Sequence, residues 1–152
     1  MITPNGPKVI EYNCRFGDPE TQVVLPLLKT DLLTVMQAVE NETLADLKVE
    51  WHDGAAACVI IASGGYPGSY AKGKVMTLPE TTPENITIIH AGSKLADGAL
   101  VTNGGRVLGV VATAPTLKEA LADAYAATES VDFEGKYMRR DIGQRALVAM
   151  EG

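Results

Sequence analysis

The densest run of chemically capable residues in the chain is Glu11-Tyr12-Asn13-Cys14-Arg15-Phe16-Gly17-Asp18-Pro19-Glu20-Thr21-Gln22, which combines several oxygen ligands with one permanent cation. Val9 to Asn13 reads as a strand, and residues two apart in a strand project from one face about 6–7 Å apart. Glu11 and Asn13 therefore point together. A carboxylate beside an amide carbonyl suits a hard divalent ion such as Mg²⁺, which keeps a few protein oxygens and fills its other positions with water or nucleotide phosphate. Taken alone, an E-x-N pair is more simply two polar residues on the wet face of an edge strand; the rest of the run shifts that balance.

Lys94 and Arg106 are the other candidate ligands. Each lies beside an expected strand end in a glycine-rich connection, and Arg106 follows Gly104-Gly105, whose missing side chains leave room for a ligand to approach the backbone. Ser63-Gly64-Gly65-Tyr66-Pro67-Gly68 has the composition to wrap an anion with backbone amides, although a plain Gly/Pro turn after a buried strand explains it more simply. Gly68 to Lys74 nearly spells a P-loop. Val75 stands where a metal-binding hydroxyl is required and Leu78-Pro79 blocks the following helix, so that reading is rejected. His52 and His90 have no partners for a catalytic triad, and His90 ends an apolar strand as a structural residue. Cys14 and Cys58 are too few and too unpatterned for a disulfide framework or a zinc site; neither is expected to be catalytic, and a reducing compartment is the simpler assumption.

The elements that must position these residues fall into three parts. Asn5-Gly6 marks a hairpin turn, with only Met1 to Pro4 before it. That reads as a cut inside a longer parent chain, with a short open reading frame as the alternative. Asp18 is expected to cap a helix that has Pro19 in its first position and Glu20 near its positive end. Pro26 should kink or end that helix. Asp31 should cap a second one, in which Leu32, Leu33, Val35, Met36 and Val39 form an apolar stripe; both helices' stripes are expected in the core. From about Val49 to Thr113 the chain is strand-rich. Ala55 to Ala62 reads as a strand buried on both faces, and Ile86 to His90 and Arg106 to Ala112 as further strands. Asn103-Gly104-Gly105 is expected to supply positive φ angles. These strands would make a meander or a small barrel-like sheet. Leu78 to Asn85 looks like a surface loop. Thr116-x-x-Glu119 is a capping box opening an alanine-rich helix to about Thr128. Val131-Asp132-Phe133 then returns to the sheet, and Asp141 caps a last short helix.

The fold class is α+β, as a single ordinary domain or a graft of two partial ones at 152 residues. An apolar fraction of 46% is that of a packed protein. No stretch approaches ~18–20 uninterrupted apolar residues and no basic leader precedes an apolar segment, so a cytoplasmic location is expected. A net charge of −6 without a Lys/Arg-rich run argues against nucleic acid or an anionic membrane as the main partner. Phosphates must then be held by a few placed cations and backbone amides.

Glu11 through Gln22 closely resembles the E-[FY]-N-x-R-F-G-D-P-E-T-Q signature of the glycinamide ribonucleotide synthetase (phosphoribosylamine–glycine ligase) family of ATP-grasp enzymes. Ala62 to Gly68, His90 to Lys94, Val101 to Leu108 and Arg140 to Ala146 resemble later blocks of that family in the same order. The resemblance implies the carboxy-terminal third of such an enzyme: residues 1–47 as the end of the ATP-grasp domain, and residues 48–152 as a small β-rich, barrel-like domain of rudimentary-hybrid type with a helix. It implies an ATP-dependent carbon–nitrogen ligase of purine biosynthesis that joins glycine to 5-phosphoribosylamine through glycyl phosphate. In that reading Glu11 and Asn13 are ligands for Mg²⁺ or Mn²⁺, and Arg15 is catalytic, neutralising the transferring phosphate or orienting glycine. Asp18, Lys94, Gly105 and Arg106 bind the ribosylamine substrate. ATP is a co-substrate, the missing amino-terminal domains are obligatory partners, and the 152 residues alone are expected to be inactive. A sister ATP-grasp ligase acting on another phosphoribosyl amine, and a non-catalytic β-rich binding module, are the alternatives.

Overall fold

The computed structural model describes residues 1–151. The chain opens with a hairpin of β1 (Ile2–Thr3) and β2 (Gly6–Pro7), with Gly6 at a φ of 88°. Residues 8–17 then adopt neither strand nor helix. The strand expected over Val9 to Asn13 does not form, because a strand exists only where a neighbour takes up its amides and carbonyls, and none of the described strands pairs with this stretch. Val9, Ile10 and Tyr12 are exposed along it.

The first helix, α1 (Thr21–Val24), starts two residues later than expected, after a turn over residues 18–20. Asp18 is not its cap: no side chain caps α1, and the Asp18 carboxylate is engaged elsewhere. Pro26 ends the α-helical bonding as anticipated, and Leu25–Leu27 tighten into a 3₁₀ turn. The next helix, α2 (Leu32–Glu40), does start on Asp31, whose Oδ2 accepts the Thr34 amide at 2.8 Å. Its apolar stripe is not core. Ala38 is its buried residue, whereas Leu33, Met36 and Val39 are exposed, since the helix packs chiefly on the neighbouring 3₁₀ turn Leu44–Asp46. The stripe of α1 likewise contains no buried residue. An antiparallel bridge between Leu28 and Trp51 joins this first part to the second, with the Lys29 amide donating to the Glu50 carbonyl and the His52 amide to that of Leu27.

The second part is built on four antiparallel strands: β3 (Ala55–Ser63), β4 (Ile86–His90), β7 (Arg106–Ala114) and β8 (Lys136–Tyr137), in the order β4–β7–β3–β8. The order is not that of a meander. A separate hairpin, β5 (Ser93–Ala96) and β6 (Ala99–Thr102), lies between β4 and β7 in the chain. Helix α3 (Leu117–Thr128) begins with the anticipated capping box: Thr116 Oγ1 accepts the Glu119 amide at 3.2 Å and Glu119 Oε2 accepts that of Thr116 at 3.1 Å. Fully buried Ala120 and Ala124 let α3 lie close on β3 and β7. The strand β3 is fully buried along one face, where Ala57, Val59 and Ile61 lie in the core with α3, while on the other face Ala56, Cys58 and Ile60 are partly exposed and Ala62 is buried. Leu78 to Asn85 is a loop.

After α3, Asp132 bridges to Thr77, and Val131 and Phe133 enter the core before β8 regains the sheet. The last helix, α4 (Gln144–Glu151), is not capped by the Asp141 side chain. Only the Asp141 carbonyl meets it, accepting the Gln144 amide at 3.3 Å, because the carboxylate is committed to Arg139. None of Asn103, Gly104 and Gly105 has a positive φ. The two glycines' lack of side chains serves close packing instead: a Cβ on Gly104 would fall 2.8 Å from Gly92 Cα. No helix among the described residues is long and apolar enough to cross a membrane.

Candidate functional site

The half-exposed face of β3 floors a cavity of about 470 Å³, with Cys58, Ile60 and Ala62 beneath and Pro19, Tyr66, Pro67, Arg106, Tyr137, Met138, Arg139 and Ile142 around it. The strands deliver two of the wall residues directly. Arg106 opens β7 opposite Ala62, where the β3–β7 register shifts, and Tyr137 closes β8 opposite the same residue.

Arg106 is the structural centre of this site. Its Nη2 lies 3.0 Å from Asp18 Oδ2 and its Nη1 donates to the Asp18 carbonyl at 2.9 Å. Asp18 Oδ1 accepts from Gln22 Nε2 at 2.9 Å, and Gln22 Oε1 is buried without a partner. Two residues 88 positions apart are thus brought together, and both belong to the substrate set read from the sequence.

The remaining candidates are placed differently. Gly105 does border the site, but a Cβ there would fall 2.0 Å from Tyr66 Cδ2, so the space it leaves holds the Tyr66 ring. Tyr66 in turn meets Tyr70 edge to face, with centroids 6.0 Å apart. Lys94 is exposed on β5 opposite Val101 and does not line the cavity. Glu11, Asn13 and Arg15 stand on the exposed stretch 8–17, where Arg15 Nη1 donates to the Phe16 carbonyl at 3.1 Å. The side chains of Glu11 and Asn13 make no hydrogen bond or ion pair among the described residues. Two uncommitted hard oxygen donors two positions apart fit Mg²⁺ or Mn²⁺ in donor type, with water and phosphate completing the shell.

The Ser63–Gly68 segment is a turn. The amides of Ser63, Gly64, Tyr66 and Gly68 donate to carbonyls of the protein, so they are not available to an anion. Sequence reasoning missed Tyr66, Tyr137 and Arg139 as site residues. The signal for Tyr66 was a ring beside glycines that pairs in space with a second glycine pair. Arg139 forms a two-pronged hydrogen bond to Asp141, at 2.9 and 2.7 Å. That fork holds the Asp141 carboxyl below its ordinary range and raises the Arg139 guanidinium. Burial, and then the Asp18 charge, push the Cys58 thiol from 9.0 up to about 11, which leaves it a protonated floor residue rather than a nucleophile.

Known proteins resemble the chain along nearly its whole length. The family model described as phosphoribosylglycinamide synthetase, C domain, matches residues 56–145, and that described as phosphoribosylglycinamide synthetase, ATP-grasp (A) domain, matches residues 1–21. A phosphoribosylamine–glycine ligase of Synechocystis sp. is 52% identical over 150 residues, covering 97% of this chain and 36% of that protein. A trifunctional purine biosynthetic protein of Gallus gallus is 50% identical, over 97% of this chain and 15% of its own length. The crystal structure of a phosphoribosylamine–glycine ligase from Thermotoga maritima is similar with a TM-score of 0.72 at 42% identity, covering 93% of this chain and 34% of that one. The chain spans about a third of the length of the single-activity relatives it matches.

Proposed function

Because the chain belongs to the phosphoribosylglycinamide synthetase family, we propose that it supplies the metal-bearing end of the ATP-grasp domain and the C domain of a phosphoribosylamine–glycine ligase. That enzyme joins glycine to 5-phosphoribosylamine through glycyl phosphate, converting ATP to ADP and phosphate, in purine biosynthesis. Residues 1–47 form the first unit and residues 48–152 the second. A cytoplasmic setting goes with this reading, and neither nucleic acid nor a membrane takes part in it. The observation that carries it is the 52% identity over 97% of the chain to a protein of that name.

Phosphoryl transfer to a carboxylate depends mainly on positioning and on neutralising charge spread over the nucleotide oxygens. Glu11 and Asn13 would hold Mg²⁺ or Mn²⁺, which when bound neutralises nucleotide phosphate. Arg15, a fixed cation two residues beyond, neutralises the transferring group or orients the glycine carboxylate. Arg106 takes the ribosylamine phosphate with its planar fork, with Gly105 beside it, Asp18 in direct contact with it, and Lys94 supplying a second positive charge from β5. Tyr66 and Tyr137 wall the cavity and limit its width. Holding the amine and the acyl carbon in register is a large share of what such a ligase contributes.

The test is a chimera in which these 152 residues replace the corresponding third of the Synechocystis relative. Glycine-dependent release of ADP with formation of the ligated product is expected. A folded chimera that binds ATP yet forms no product with glycine and 5-phosphoribosylamine sinks the reading.

A further inference from the structure

A carboxylate occupies the cation that the substrate's phosphate is to meet. Arg106 directs Nη1 at the Asp18 carbonyl (2.9 Å) and Nη2 at Asp18 Oδ2 (3.0 Å), so both terminal nitrogens of its fork face one residue. An arginine fork accepts carboxylate and phosphate with the same geometry. Asp18 cannot itself be a phosphate ligand in this position, because two anions at such a distance repel. The pair is also weak enough to exchange: its side chains are 38% and 50% exposed, in the range where an ion pair contributes little.

Resting on Arg106 as the phosphate site of the proposed ligase, we infer that Asp18 is an internal competitor for that arginine, whose carboxylate is displaced when the substrate's phosphate binds. The displaced carboxylate has somewhere to go, since Gln22 Nε2 already holds its other oxygen at 2.9 Å. Asp18 also stands immediately after the unpaired stretch 8–17 that carries Glu11, Asn13 and Arg15. Its contact with Arg106 anchors that stretch to the sheet. Phosphate arrival therefore removes one tether of that segment, which stays joined to α1 through the Thr21 amide bond to the Gly17 carbonyl at 3.1 Å. Asp18 sets substrate affinity by opposing it, contrary to a role as a direct ligand.

The experiment titrates ribose 5-phosphate into the 152-residue chain and follows the Kd by NMR chemical shifts, with circular dichroism to verify that each variant is folded. Asp18→Asn removes the competing charge and is expected to tighten binding about two- to fivefold, the worth of a half-exposed ion pair. Asp18→Ser should act in the same direction. Arg106→Gln should abolish binding in the wild-type and the Asp18→Asn backgrounds alike. Unchanged or weaker binding by both Asp18 variants, with Arg106→Gln still abolishing it, overturns the competitor role and leaves Arg106 as the phosphate site. Binding that ignores Arg106→Gln, or no binding by any variant, overturns both.

Discussion

At the level of single residues, the cavity floor and the contact between Tyr66 and Gly105 make separable predictions. Cys58 holds its proton in the folded chain up to about pH 11, whereas an unfolded thiol releases it near 9.0. Between those values the unfolded state binds fewer protons than the native state, so stability falls as pH rises through this window and is unaffected below it. Denaturant midpoints measured from pH 8 to 11 should drop more steeply for the wild type than for Cys58→Ala. Exposed Cys14 should react with a thiol reagent at pH 8 well before Cys58 does. Gly105 is constrained by shape: a methyl group there meets the Tyr66 ring. Gly105→Ala should cost about 1–3 kcal/mol as an overpacked site. Most of that cost should vanish in the Tyr66→Ala background, a coupling that a double-mutant cycle reads directly.

Among the elements, those whose signals are local were legible in the sequence. Asp31 and the Thr116–Glu119 box start α2 and α3 because each capping bond forms within one turn of chain, and replacing Thr116 by Ala should lower stability by about 1 kcal/mol in denaturant unfolding. Runs such as Ala55 to Ala62 and Ile86 to His90 declared themselves as strands by composition. What the sequence did not disclose depends on partners far along the chain. Val9 to Asn13 has strand propensity but no neighbouring strand, and the apolar face of α2 has period but little to cover it. Asp18 and Asp141 both carry cap chemistry, yet each is drawn away by an arginine, one of them 88 positions distant. Glu11, Asn13 and Arg106 drew attention through motif blocks, and of these the structure brings Arg106 to the cavity wall. The role of Arg139 and of the Tyr66 ring required the sheet order β4–β7–β3–β8, which no local pattern encodes.

For the molecule as a whole, the proposed chemistry divides between a well-packed sheet-and-helix unit and a preceding stretch that is hardly packed at all. In the chimera described above, Glu11→Gln should sharply reduce turnover and raise the Mg²⁺ concentration needed for half-activity, while thermal stability stays within about 0.5 kcal/mol, as for an exposed residue without partners. Normal Mg²⁺ dependence in that variant would remove Glu11 from the metal site. The junction between the two parts has an optical consequence. Trp51, which bridges to Leu28, is the only tryptophan in the chain and is half in water. Its fluorescence therefore reports on this seam alone, whereas far-ultraviolet ellipticity reports mostly on the sheet and α3. The seam buries no large side chain completely, unlike the core around Val59, Ile61 and Val110, so emission should shift to the red at lower urea than ellipticity falls. One native indole thus serves as a built-in gauge of when the leading segment lets go of the domain behind it.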